Sequence, residues 1–202
     1  ENLIDFVDIF CEKNYFSTSE VSKLINEAKK FNLLSKIHVN QFNSIGGIKV
    51  AVENNALSVD HLEVLNENDI NSLKSGKTMP VLLPGCSFFM DINYAPAKKL
   101  LSNGIPFAIA SDFNPGSSPT GNMNFIVSLA CNKLKLTTEQ AINAATLNGA
   151  YAMGVSEKSG SICHGKFANL IITEKLDSID ELPYYYAENL IYKILIKGKE
   201  LG

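Results

Sequence analysis

Three ionisable side chains stand at the ends of short apolar runs: His38 in Lys36-Ile-His-Val39, His61 in Leu57-Ser-Val-Asp-His-Leu62, and Asp112 directly after Pro106-Phe-Ala-Ile-Ala-Ser111. Two imidazoles and a carboxylate suit one divalent metal such as zinc or iron, with a position left for water. A metal so held brings the pKa of its water near neutrality and supplies hydroxide for hydrolysis. Each residue also has an ordinary structural role open to it. A single histidine in a strand is more often packed or hydrogen-bonded in a core than a ligand. An aspartate heading Asp112-Phe-Asn-Pro-Gly116 can close a turn or cap the element that follows.

What would bring the three together is the order of the elements that carry them. Leu3–Phe10 is β-branched and aromatic, and Ser17-Thr-Ser-Glu20 follows as a capping box before the helical face Val21, Leu24, Ile25 and Ala28. Strand then helix recurs with Lys36–Val39 before a helix over 44–54, Leu57–Leu62 before one near 67–75, and Met79–Leu83 before Ala95–Asn103. The fifth strand, Pro106–Ser111, precedes a Gly/Ser/Pro loop and a helix from Met123 to Leu134. Such alternation predicts βαβ units on a parallel sheet with helices outside it. In parallel α/β sheets ligands gather at the carboxyl ends of the strands, where His38, His61 and Asp112 fall. Pro84-Gly85 joins that rim with backbone rather than charge. A closed eight-stranded barrel takes about 250 residues, so the five units fit either an open doubly wound sheet or the later part of a barrel.

Thr137-Thr-Glu-Gln140 is a second capping box, opening an Ala-rich helix expected to run to Met153 and stop at Gly154. Beyond Gly160 the pattern changes. Ala168–Thr173 and Leu190–Ile196 read as strands of a separate small β layer, which divides the chain into 1–158 and 159–202. His164, in Cys163-His-Gly-Lys166, reads as a surface turn residue, and Tyr184-Tyr-Tyr186 as packing or interface.

With 202 residues, 46% of them hydrophobic, and a net charge of −3, the chain can bury a sizeable core and offers no basic patch for a nucleic acid. Its apolar runs are too short to span a membrane, and no signal segment opens it, so the expected setting is the cytoplasm. The four cysteines form no C-x-x-C pair and read as reduced packing residues. A start at Glu1, without Met and directly before a strand, suggests a fragment.

The chain resembles the metal-dependent amidohydrolase superfamily. "GSICHGKFANLIIT" at 160–173 is similar to the superfamily's return from barrel to β-sandwich, with Asn169 in place of an aspartate. "FVDIFCE" (6–12), "KIHVNQ" (36–41), "SVDHLE" (58–63), "VLLPG" (81–85), "SDFNPGSSPT" (111–120) and "ELPYYYAEN" (181–189) resemble, in order, its imidazolonepropionase family. The resemblance implies an α/β fold, the later part of a (β/α)8 TIM-type barrel followed by strands of a small β-sandwich. It implies one divalent metal, zinc or iron, held by His38 and Asp112, with His61 and Asp112 catalytic and Gln41, Asn114, Gly116 and Ser117 contacting substrate.

The activity so implied is hydrolysis of a cyclic amide, 4-imidazolone-5-propanoate to N-formimidoyl-L-glutamate, in histidine degradation, by a homodimer. Two departures stand out. Gln41 sits where many relatives have a glutamate, and an amide cannot take a proton as a carboxylate can. The family's His-x-His ligand pair has no counterpart among the three histidines here, so the resemblance is to about the C-terminal half. A deaminase or other cyclic amidase, and a non-catalytic interaction module of the same fold, remain open alternatives.

Overall fold

In a computed structural model, described for residues 3–201, the chain forms two sheets. The first takes its strands from β1 (Phe6–Cys11), β2 (Leu34–Val39), β3 (Ser58–His61), β4 (Met79–Leu82) and β5 (Ala108–Ile109), all parallel and in the order β1-β2-β3-β4-β5. Between them lie α1 (Thr18–Lys29), α2 (Gly47–Glu53), α3 (Glu67–Ser75), and the pair α4 (Pro84–Phe89) and α5 (Ala97–Ser102). Strand order that follows chain order, with crossovers of one hand, puts the crossover helices on one face. A doubly wound sheet reverses direction at a switch point, and this one does not. The sheet is an arc of a singly wound barrel.

Both faces of the arc are buried, and they differ in kind. On the helix side Ile37, Val39, Val59, Leu82 and Ile109 pack with Val21, Ile25, Ile48, Ile70, Leu100 and Ile126 in the larger core. Side chains alternate across a strand, so the residues between them face the other way. That concave side holds a smaller apolar cluster of Met79, Val81, Leu83, Cys86 and Ala108. Registers Asp8↔Lys36, Phe10↔His38, Lys36↔Ser58 and His38↔Asp60 place a polar group on the same side.

The capping boxes at Ser17/Glu20 and Thr137/Gln140 start α1 and the helix opening at Thr138 as the sequence predicts, and Asn66/Asp69 adds a third at α3. Four expectations shift. Regular pairing in the first strand begins at Phe6 rather than Leu3. The fifth strand pairs only through Ala108 and Ile109, because Pro106 lacks a ladder N–H. Pro84 opens a short helix ahead of the one expected at Ala95–Asn103, its missing N–H costing nothing at a first turn.

The Ala-rich segment is not one helix but two, α7 (Thr138–Ala145) and α8 (Leu147–Ala152). They part at Thr146, whose hydroxyl bonds back to the Ile142 carbonyl (2.7 Å) while the Asn148 amide donates to the Phe107 carbonyl (2.7 Å).

Helix α6 (Met123–Asn132) precedes α7. The second sheet is antiparallel, ordered β6 (Leu170–Thr173), β7 (Ile191–Ile196), β8 (Lys199–Glu200), with α9 (Glu181–Tyr184) in the β6–β7 connection. Tyr186 packs on Phe125 of α6, ring centroids 6.0 Å apart. His164 is exposed in a turn.

Candidate metal centre

His38, His61 and Asp112 do converge: one ligand atom from each lies within 4.8 Å of the others. His38 arrives by simple alternation, facing the concave side with Asp60 beside it in the next strand. His61 does not. Alternation would turn it with Val59 toward the helices, but its φ of +89°, followed by +68° at Leu62, swings the ring back to the rim, 5.3 Å from the His38 ring. Asp112 is also left-handed, at φ +53°. Side chains rarely adopt this backbone region, and it persists where surrounding structure imposes it.

Each imidazole has a carboxylate behind it. His38 Nδ1 lies 2.9 Å from Asp8 Oδ1, and His61 Nδ1 lies 3.4 Å from Glu63 Oε1. Burial works against a charged His38, yet the bond it donates to Asp8 and the charges of Asp8, Asp60 and Asp112 outweigh it, so its pKa is raised. Deeper in the arc Lys36 Nζ donates to Ser58 Oγ (2.7 Å) and to the Ala152 carbonyl at the end of α8 (2.9 Å), and Ser58 Oγ donates to Asp60 Oδ1 (2.8 Å). Burial pushes the Asp60 carboxyl up, and Lys36, His38 and Ser58 offset this only in part.

The loops that frame the rim are tied from below. Glu12, at the end of β1 and 2% exposed, accepts the backbone N–H groups of Phe42 (2.9 Å) and Asn43 (3.1 Å), fixing the turn that carries Gln41. Gln41 is buried and its amide donates to Cys86 Sγ (3.4 Å) and Met90 Sδ (3.8 Å). The turn after β5 is closed by Asn114, not by Asp112. Asn114 Oδ1 accepts from the N–H of Gly116 (2.9 Å) and Ser117 (2.8 Å), and its amide donates to the Asp112 carbonyl (2.7 Å). Gly85 fits under this loop because a Cβ there would meet Ile126 at 2.8 Å and Ser118 Oγ at 3.0 Å.

Asp8, Glu12, Asp60 and Glu63 escaped the sequence reading. Their signal was periodicity: Asp8 breaks an apolar strand on the face that carries His38 in the next one, visible only once the β1–β2 register is known. The donor set itself is chemically apt for a divalent ion, since two imidazole nitrogens and a carboxylate oxygen are ordinary ligands of zinc and iron.

A singly wound parallel arc with two histidines and an aspartate gathered over its strand ends defines a barrel protein with a polar centre at the C-terminal rim. Residues 12–201 match the model of the amidohydrolase family, and the chain belongs to that family. It is 58% identical over 199 residues to an imidazolonepropionase of Christiangramia forsetii, covering 98% of this chain and 48% of that protein. With an imidazolonepropionase of Flavobacterium johnsoniae the identity is 57% over 197 residues, with the same coverage. The chain thus spans about half the length of the curated relatives it matches. A zinc-bound adenosine deaminase from Xanthomonas campestris superposes with TM-score 0.79 at 17% identity, over 96% of this chain and 50% of that one, which shows the shared fold.

Proposed function

We propose that the protein to which this chain contributes hydrolyses 4-imidazolone-5-propanoate to N-formimidoyl-L-glutamate, a step of histidine degradation. The observation that carries this reading is the convergence of His38, His61 and Asp112 in a chain 58% identical to an imidazolonepropionase. His38 and Asp112 would hold one divalent metal, zinc or iron. Such an ion, when bound, lowers the pKa of water and polarises a carbonyl.

The chain's own residues supply the rest. His61 faces the ring carbonyl and hydrogen-bonds the oxygen as negative charge develops on it. Asp112 takes the proton of the attacking water and passes it to the ring nitrogen as the C–N bond breaks, so that a C–O bond replaces a C–N bond without change of oxidation state. Gln41, an amide anchored on Cys86 and Met90, orients substrate rather than carrying a proton. The 114–117 turn presents Asn114, Gly116 and Ser117, and its internal hydrogen bonds fix their shape before substrate arrives.

A cytoplasmic setting fits four free cysteines. Among the described residues no helix is long and apolar enough to cross a membrane. Division at 158/159 fits the change from parallel to antiparallel sheet, and the homodimer implied by the family resemblance completes the reading.

The test is metal content together with imidazolonepropionate hydrolysis, on this chain and on a polypeptide of the relatives' full length, each with Asp112→Ala. Metal and turnover in the longer protein, both lost on substitution, support the reading. Turnover of guanine or dihydropyrimidines without turnover of imidazolonepropionate overturns it in favour of a sister amidohydrolase. No metal and no effect of Asp112→Ala leaves a non-catalytic module.

A further inference from the structure

We propose that Glu63 is the positioning residue for His61: its carboxylate accepts the Nδ1 hydrogen and so turns Nε2 toward the reacting carbonyl, to whose oxygen Nε2 donates when it too carries hydrogen. The proposal deepens the hydrolytic reading above and rests on it for its catalytic consequence.

The Glu63 side chain is 2% exposed and that of His61 5%. A buried carboxylate must find donors, and an ionised one only accepts. Oε1 receives Ser87 Oγ–H at 3.1 Å, from α4, and Oε2 has no partner among the described residues. The remaining donor in reach is the His61 ring N–H, 3.4 Å away at Nδ1. With hydrogen on Nδ1 both residues are served; with Nδ1 bare, an imidazole lone pair faces a buried carboxylate.

The backbone is built for this approach. The consecutive left-handed residues His61 and Leu62 fold the chain end back so that Glu63 comes under the ring of His61. Leu62 is fully buried and locks the turn. Ser87 ties the same carboxylate to α4, so two rim segments share one anchor. A carboxylate or carbonyl behind the far nitrogen is the general means of fixing a functional imidazole.

The first readout is the ring tautomer by two-bond nitrogen–proton correlation on the chain at neutral pH. Three histidines make assignment by single His→Gln variants straightforward. His61 with hydrogen on Nδ1, lost in Glu63→Met and kept in Glu63→Gln, which retains an acceptor, is the expected result. An Nδ1 without hydrogen in the unsubstituted chain overturns the proposal whether or not any variant folds.

The second readout is kinetic, in a polypeptide of the relatives' full length. Glu63→Met should lower kcat about 10–100-fold, with KM within about threefold, and Glu63→Gln should recover most of kcat. A kcat equal to the unsubstituted protein's in Glu63→Met overturns the proposal. Absence of imidazolonepropionate turnover in the unsubstituted protein removes the hydrolytic reading alone, and the ring tautomer then decides Glu63.

Discussion

Asp8 Oδ1 lies 2.9 Å from His38 Nδ1, across the β1–β2 pairing and two residues below the point where Phe10 stands opposite His38. The carboxylate holds hydrogen on Nδ1 and leaves Nε2 for the rim. Asp8→Asn keeps the shape and removes the charge. Zinc affinity should fall about 10–100-fold, read by competition with a chromogenic chelator, and an unchanged affinity would show that Asp8 is only a neighbour.

The same pair predicts a pH dependence. Burial disfavours His38 protonation, but the hydrogen bond His38 donates to Asp8 and the charges of Asp8, Asp60 and Asp112 prevail and raise its pKa. A group whose folded pKa is raised contributes stability below its unfolded pKa and loses it as pH rises through the folded one. In metal-free protein this contribution should therefore be full in mild acid and fade above the ordinary histidine range. Metal requires the neutral ring, so its affinity should climb over the same interval. A proton NMR titration of His38 checks the direction, and Asp8→Asn should move the midpoint down.

Glu12 acts in the opposite sense. Burial alone would raise its carboxyl, but the backbone N–H groups of Phe42, Lys13 and Asn43 hold its pKa below the usual value. Its stabilisation is present above the unfolded glutamate pKa of about 4.3 and is lost as pH falls through the lower folded pKa. Glu12→Ala leaves the backbone N–H groups of Lys13, Phe42 and Asn43 without their carboxylate acceptor and should cost about 1–3 kcal/mol in urea unfolding at neutral pH. The gap to the unsubstituted chain should close in strong acid.

The cysteines should label in order of access. Burial first, then the charge of Glu12, pushes the Cys11 thiol up to about 11. Cys86 is likewise pushed up to about 11, by burial first and with the charges of Asp112 and Glu63 adding to it against a lowering bond from Ser117. Cys163 is exposed. Iodoacetamide at neutral pH should modify Cys163 at once, Cys131 slowly, and Cys11 and Cys86 only on unfolding, as mass spectrometry of peptides would show. Early modification of Cys86 would mean that the floor beneath Gln41 opens in the native state.

The sequence by itself determined the order of the strands and most of the helices, and which three side chains meet over the strand ends. Alternating strands and helices announced a parallel sheet, two capping boxes marked helix starts, and His38, His61 and Asp112 stood out because each ends an apolar run where such sheets bind ligands. These signals are local: periodicity and capping are written within a few residues. Singly wound order, which separates a barrel arc from a doubly wound sheet, depends on which strands pair and is written nowhere in one segment.

The tertiary structure alone decided how the centre is supported. Asp8 meets His38 through inter-strand register, Glu12 reaches Phe42 and Asn43 across 30 and 31 residues, and Asn114 rather than Asp112 closes the turn after β5. His61 reaches the rim against the alternation of its own strand because two left-handed residues, His61 and Leu62, are held there by burial. Local sequence sets what a residue can do chemically; a positive φ imposed by packing, and a carboxylate brought from another strand, set where it points.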